Sequence, residues 1–186
     1  MRYKPYPKYK DSGVEWLGDV PEGWEVLPLK YITTHNDDVL SEDTDKNYQI
    51  NYVDIGSVDS SVGITKYEEI IYRNAPSRAR RKVKIGDIII STVRTYLRAI
   101  ASIRDIKDNL IVSTGFVVIR PKKEFNSNFA SYLLGSSYFI ETVVAKSVGI
   151  SYPAINSSEL VTIKSILPPL KEQTKIANYL DQKPKK

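Results

Sequence analysis

The chain has 186 residues, 41% apolar and 10% aromatic, which suits one globular domain with a proper core. With no Cys and a single His, disulfides, thiolate metal sites and His clusters are excluded, and neither a metal nor another cofactor is expected. The net charge is +5, no apolar run approaches membrane-spanning length, and the opening MRYKPYPKYK lacks the apolar stretch of a secretory signal, so a cytoplasmic protein without a membrane partner is expected.

Residues 1–13, rich in Pro, Lys and Tyr, read as extended or loosely packed, and Val14 to Leu17 as a short apolar turn around Trp16. Pro21-Glu22-Gly23 is a turn signal before a strand over Trp24 to Leu27. His35 reads as a surface or loop residue. Residues 36–45 hold five acids and no base, a loop. Tyr48 to Ile55 alternates as a strand, 56–63 is a turn cluster, and Glu69 to Tyr72 is another strand. Gly86-Asp87 opens a strand over Ile88 to Thr92; Leu97 to Ile103 and Phe116 to Arg120 follow, the last closed by Pro121. The period then changes. Asn126 or Ser127 can cap a helix over Phe129 to Leu134, and Tyr138 to Lys146 makes a second. Ser147 to Asn156 is a loop around Gly149 and Pro153, and Val161 to Ile166 a strand. Pro168-Pro169 starts a last helix, with Pro169 preset for its first turn and Glu172 near its positive end. The sum is an α+β fold: a twisted mixed or antiparallel sheet with packed helices and a trailing helix.

One window concentrates the charge. Between Ile71 and Arg104 lie nine Arg or Lys and one Asp, a net +8 against −3 for the remainder. A local patch of this kind gives a polyanion a defined docking place. Arg94, Thr95, Tyr96 and Arg98 follow the apolar run Ile88-Ile89-Ile90, as if a strand delivered base-reading side chains at its end. The plain alternative is a solvated basic loop without a ligand, and pairing inside the protein, of an Arg with Asp87 for instance, would account for one or two of the charges.

The stretch Val148 to Asp181, VGISYPAINSSELVTIKSILPPLKEQTKIANYLD, resembles the target recognition domain of type I restriction–modification specificity subunits. The resemblance rests on Gly149, Pro153, Ile155 and Asn156, then Pro168, Pro169, Leu170, Glu172, Gln173, Ile176, Ala177, Tyr179, Leu180 and Asp181. YKDSGVEWLGDVPEGW (Tyr9 to Trp24) and GDIIISTVRTYLRAIA (Gly86 to Ala101) are similar to the same family, in the same order. The resemblance implies a non-catalytic subunit that reads double-stranded DNA. Two such domains each read one half of a split target, and long helices set their spacing and dock methyltransferase subunits. A separate motor–nuclease subunit cuts. It implies a target recognition domain over 1–167 and the start of the spacer helix over 168–186. The chain then reads as a half-subunit, with Pro184 set to stop or kink the helix.

Within that frame Arg78, Arg80, Arg81 and Lys82 are expected on phosphates. Arg94, Thr95, Tyr96 and Arg98 are expected on the recognition face, where alternation along an extended segment would put Arg94, Tyr96 and Arg98 on one side. Ser151 and Tyr152 are candidate base or phosphate contacts. Asn156 is one too, although a capping role for the turn Ser157 to Leu160 suits it better. Lys84 and Arg104 read as solvated charges. Leu170, Ile176, Ala177 and Leu180 form an apolar stripe on a helix of about four turns, too short to stand alone. It must pack on its own domain or pair with another copy, as a possible homodimer.

Rival classes find little support. There is no Glu-x-Lys nuclease constellation, no Asn-Pro-Pro-Tyr motif, no Gly-x-Gly cofactor loop and no P-loop. A nonspecific or RNA-binding module remains a rival. So does a truncated regulatory fragment that binds methyltransferase subunits without productive DNA targeting.

Overall fold

Ile88, Ile89 and Ile90 are all buried, because the strand that carries them is covered on both faces. Its surroundings come from a computed structural model that describes residues 5–15, 17–105 and 107–183. The first strands are β1 (Tyr9–Asp11), β2 (Asp19–Pro21) and β3 (Glu25–Pro28), followed by the single turn α1 (Leu29–Ile32) and β4 (Thr33–His35). Then come β5 (Gln49–Val53), β6 (Val58–Asp59), β7 (Gly63–Ile64), β8 (Glu68–Ile71) and β9 (Ala79–Lys82). The central strands are β10 (Ile88–Ser91), β11 (Ile100–Ser102), β12 (Leu110–Ser113) and β13 (Phe116–Pro121). The helical part follows: α2 (Ser127–Leu134), α3 (Ser137–Lys146) and the short α4 (Ser157–Leu160), then β14 (Lys164–Leu167) and α5 (Leu170–Asp181).

The class is α+β, as expected, but the strands form two four-stranded sheets instead of one. The first has the order β11-β10-β13-β4 and is antiparallel throughout. The second, β8-β5-β12-β9, is mixed, because β12 runs parallel to β5 and antiparallel to β9. Two-stranded pairs β1-β2, β3-β14 and β6-β7 complete the set.

Alternation along β10 and β13 explains the layering. Ile88, Ile90, Val117 and Ile119 pack with Phe129, Leu134, Phe139 and Val143 of the helices. Ile89, Phe116 and Val118 point the other way and pack with Val53, Leu110 and Val112 of the second sheet. Ile111, on the opposite side of β12, joins Ile50, Tyr52 and Ala79 in a third cluster. Each such side chain contributes about 1.5–3 kcal/mol on burial, so an uninterrupted apolar run is what a strand between two layers requires.

Several boundaries differ from the expectations. Leu97 to Ile103 is a strand only from Ile100, and Val161 to Ile166 only from Lys164, because α4 and its closing turn occupy the residues before it. The turn cluster at 56–63 holds a tiny hairpin, β6 with β7. Strands β2, β4, β9 and β12 were not expected, and β2 takes in Pro21 of the expected turn. β9 carries three consecutive cations, and β12 is a run of only four residues. Pro169 is the N-cap of α5 and lies just outside its first turn. Trp16 and Pro184, named above, fall outside the described residues. Among the described residues no helix is long and apolar enough to cross a membrane, and no group of acids and His is set to hold a metal.

Candidate nucleic-acid interface

After β10 the chain does not stay extended. Arg94 and Arg98 both adopt left-handed backbone, with φ of 51° and 53°, and Thr95–Leu97 between them forms a 3-10 turn. The expected alternation of Arg94, Tyr96 and Arg98 along one side therefore does not exist. The turn is held from inside. Thr95 is buried, its hydroxyl donates to Ser147 Oγ at 2.8 Å, and Ser147 in turn donates to the carbonyl of Val143 at 2.7 Å. Left-handed geometry at a non-glycine residue costs about 1 kcal/mol or more, so the contacts around Thr95 must hold it. Tyr96 and Leu97 are left exposed at the crest.

A second loop, 148–154, is tied to this turn. Val148 and Ala154 exchange backbone hydrogen bonds of 2.8 and 2.9 Å, closing a small loop over Gly149 to Pro153. Gly149 has φ of 120°, and an added Cβ would lie 3.2 Å from the Tyr152 carbonyl oxygen, which is why this position takes glycine. The Ile155 N–H donates to the Thr92 carbonyl at 2.9 Å, and the Thr95 N–H to the Pro153 carbonyl at 3.4 Å. Arg94 lies over the ring of Tyr152, 5.2 Å from its centroid. Arg94, Thr95, Ser151 and Tyr152, far apart in sequence, thus share one projection. Asn156 sits at the N-cap of α4, but its side chain makes no capping bond; only its backbone carbonyl accepts from the helix.

The cations of β9 lie beside this projection. Thr114 donates its N–H to the Arg78 carbonyl at 2.8 Å, and the neighbouring Gly115 carbonyl accepts from the Thr92 N–H at 2.8 Å and the Thr92 hydroxyl at 3.0 Å. The turn after β12 therefore joins both basic segments. The Arg78 guanidinium donates to the Tyr52 hydroxyl at 3.1 Å and to Asp54 at 2.8 Å, and both partners raise its already high pKa. Arg80 donates to the Tyr72 hydroxyl and lies over that ring. Arg81 is half-buried, its Nε has no hydrogen-bond partner, and burial pushes its pKa down. Lys82 is exposed, and neither Arg81 nor Lys82 is in a salt bridge among the described residues.

Internal pairing takes more of the basic window than its sequence suggests. Arg78, Lys84, Arg98 and Arg104 are ion-paired with Asp54, Asp38, Glu141 and Asp181, at 2.8, 2.8, 2.5 and 3.7 Å. Lys84 and Arg104, expected as solvated charges, are thus both paired. All four acids lie outside the window, so sequence-local counting could not see them. Among the described residues Arg73, Arg80, Arg81, Lys82 and Arg94 make no ion pair with an acid, and Arg73 donates to the Asn47 side chain. Asp87 does pair with an arginine, but from outside the window. It is buried and takes two bonds from Arg120, at 2.9 and 2.8 Å, while Arg120 also reaches Asp37 and Asp38. The Asp87 contact is the main cause that raises the Arg120 pKa.

Val148 and Ile150, not singled out above, are the most exposed apolar residues of the projection. Ile150 is fully exposed and Val148 79% exposed. Their signal in the sequence was there: two apolar residues in a Gly-, Ser- and Pro-containing loop without a periodic partner.

The stripe on α5 faces its own domain in part. Ala177 is 1% exposed within the helical core, and Ile176 packs against the same cluster. Leu180 is half-buried, and Leu170 is exposed. The first turn is pinned by Glu172, which accepts from Trp24 Nε1 at 3.0 Å and from the Tyr6 hydroxyl.

Comparison with known proteins adds to this geometry. A family model described as "Type I restriction modification DNA specificity domain" matches residues 21–185. Two proteins of Methanocaldococcus jannaschii named as type I restriction enzyme specificity subunits, MjaX and MjaVIII, are 28% and 26% identical to the chain. Each alignment covers 88% of this chain and 40% of the relative. In the crystal structure of the HsdS subunit from Thermoanaerobacter tengcongensis, a matching region is 35% identical with a TM-score of 0.75, covering 87% of this chain and 42% of that one. A chain from a structure of type I R-M complex assembly and conformational transition is 34% identical with a TM-score of 0.77, at the same coverage of 87% and 42%. The chain thus spans about two-fifths of the length of these relatives.

Proposed function

We propose, on the premise that this chain belongs to the family of type I restriction–modification DNA specificity domains, that it is a non-catalytic unit reading one half of a bipartite DNA target. The observation that carries the reading is the meeting of two basic segments, Arg78–Lys82 and Arg94–Arg98, around the Thr114–Gly115 turn. Arg80, Arg81 and Lys82 would neutralise phosphates and set register, since such contacts carry affinity and no sequence information. Arg94, Tyr96, Ser151 and Tyr152, on the projection beside them, would meet base edges. Thr95, expected there too, is buried and bonded to Ser147, so it holds the turn from inside instead. Arg78 and Arg98 would join only by loosening their pairs with Asp54 and Glu141.

In this reading residues 1–167 are the recognition domain and 168–186 the start of a spacer helix. That helix would dock methyltransferase subunits and, through the complex, a motor–nuclease subunit, in the cytoplasm. Pairing of two copies would supply two half-site readers. It would have to use sides of α5 that its own domain leaves open, such as the one carrying exposed Leu170. Sedimentation of the chain against a Leu170→Asp variant tests that arrangement.

The deciding experiment is selection of random duplexes on the purified chain together with its methyltransferase partner. A recurrent motif supports the reading, and a pool without enrichment sinks it. One observation favours a second reading, a regulatory fragment that binds methyltransferase without productive DNA targeting: four of the nine cations in the basic window are already paired internally. Capture of methyltransferase with no duplex retained would decide for that reading.

A further inference from the structure

Among the described residues, loop 148–153 pushes three large apolar or aromatic side chains outward on a hydrogen-bonded support. Ile150 is fully exposed, Val148 79% and Tyr152 66% exposed. A loop that only needed to be soluble would not carry all three. Nor is it slack. The Val148–Ala154 backbone pair closes its base, the bonds of Thr95 to Pro153 and of Ile155 to Thr92 brace it, and Pro153 removes a further degree of freedom. Preorganisation of this kind lowers the entropy lost when a protruding element enters a partner.

The charge around it identifies the partner. Between Glu141 and Glu159 there is no acid, and between Asp87 and Asp105 there is none either. The two segments that build the projection therefore carry only cations: Lys146 on one, Arg94, Arg98 and Arg104 on the other. Of these, Arg98 and Arg104 are paired with Glu141 and Asp181, and Arg94 is left for a ligand. Arg94 stacks on the Tyr152 ring, presenting a planar cation and an aromatic face together. An apolar tip with a cationic, aromatic flank fits a nucleic-acid base step with its phosphates. An apolar protein groove would gain nothing from the cations.

We propose that this loop is a wedge: Ile150 inserts at a base step of duplex DNA and partly unstacks it, while Tyr152 and Arg94 cover the opened base and its phosphate. The proposal rests on the DNA-reading function above and adds deformation of the duplex to it. Apolar side chains inserted between base steps kink DNA, so part of the sequence preference would come from how easily that step opens.

The test uses the duplex recovered by selection, with 2-aminopurine placed at successive positions, and the purified chain in complex with its methyltransferase partner. The native chain is expected to raise 2-aminopurine fluorescence at one step apart from any base that the methyltransferase itself flips out. Ile150→Ser should abolish that rise and weaken binding about tenfold, the scale of one aliphatic side chain kept out of its burial site, with the salt dependence unchanged. Because Ile150 is fully exposed, an unchanged melting temperature is expected to show that the variant folds. The Arg80→Ala, Arg81→Ala variant should do the opposite, lowering the salt slope while keeping the rise at saturating protein. A duplex that binds with no rise that depends on Ile150 overturns the wedge and leaves the DNA-reading function standing. So does an Ile150→Ser variant that loses methyltransferase capture while the rise persists. A duplex that never binds overturns both.

Discussion

The side-chain carbonyl of Gln173 accepts a hydrogen bond from the backbone N–H of Asn126 at 2.8 Å, and Asn126 is itself the N-cap of α2, its side chain accepting from Phe129 N at 3.0 Å. In a capping box the group that reaches back to the N-cap N–H comes from the third residue of the same helix. Here it comes from α5, 47 residues away. The Gln173 amide also donates to the carbonyls of Glu124 and Pro168, at 2.9 and 2.7 Å. One fully buried side chain thus fixes where the last helix leaves the domain.

Replacing Gln173 by Leu would leave the Asn126 N–H and two carbonyls unpaired. At about 1–3 kcal/mol for an unmet buried group, a loss of roughly 3 kcal/mol is expected. Urea unfolding followed by tryptophan fluorescence measures it. A midpoint within error of the native chain would show that water replaces the amide.

Arg80→Ala with Arg81→Ala should weaken binding to every duplex alike, and lower the slope of log affinity against log salt by about 0.9 per lost phosphate contact. Arg78→Ala should change the slope less, because Asp54 already pairs with Arg78. Equal slopes for all three proteins would place the β9 cations outside the interface.

The Arg98–Glu141 pair is about half-exposed on both sides, so Glu141→Ala should shift stability by less than about 1 kcal/mol. It releases a cation next to the proposed reading face. Tighter duplex binding with a steeper salt dependence is the expected outcome in a titration. Weaker binding would mean that Glu141 orients Arg98 for its contact.

Hydrogen bonds from Lys84 first and Arg120 second hold the Asp38 carboxyl below the usual aspartate range. A depressed folded pKa gives stability that is present above the unfolded value, near 3.9, and is lost as pH falls through the folded value. Asp38→Asn should therefore lower stability at neutral pH and flatten the acid limb below about pH 4. Asp87→Ala should cost more, about 3 kcal/mol, because it strips a buried partner from Arg120. Chemical unfolding across pH checks both, and an acid limb unchanged in Asp38→Asn would remove that group from the linkage.

Much of the chain was legible in one dimension. The family followed from ordered fragments such as PPLKEQTKIANYLD. The helices α2 and α3 followed from their periodicity and from Asn126 as cap, and the central strand from its three isoleucines. These features are local. A cap bonds within three residues, a helix repeats every few, and a strand buried on both faces must be apolar throughout.

The site resisted the same reading because its determinants are long-range. Asp54, Asp38, Glu141 and Asp181 neutralise four cations of the basic window, yet none lies within it. The fold of Arg94 to Arg98 depends on Thr95 finding Ser147, 52 positions later, so neighbouring residues could only suggest an extended run. β9 carries cations that argue against a strand, and it forms because β12 offers it an edge. By itself the sequence determined the family, the class of fold and the sign of the charge, since these depend on composition and short-range pattern. Which cations stay open, and which apolar side chains are pushed outward beside them, was decided by the tertiary structure, because ion pairs and exposure are set by residues that meet only when the sheets and helices have packed.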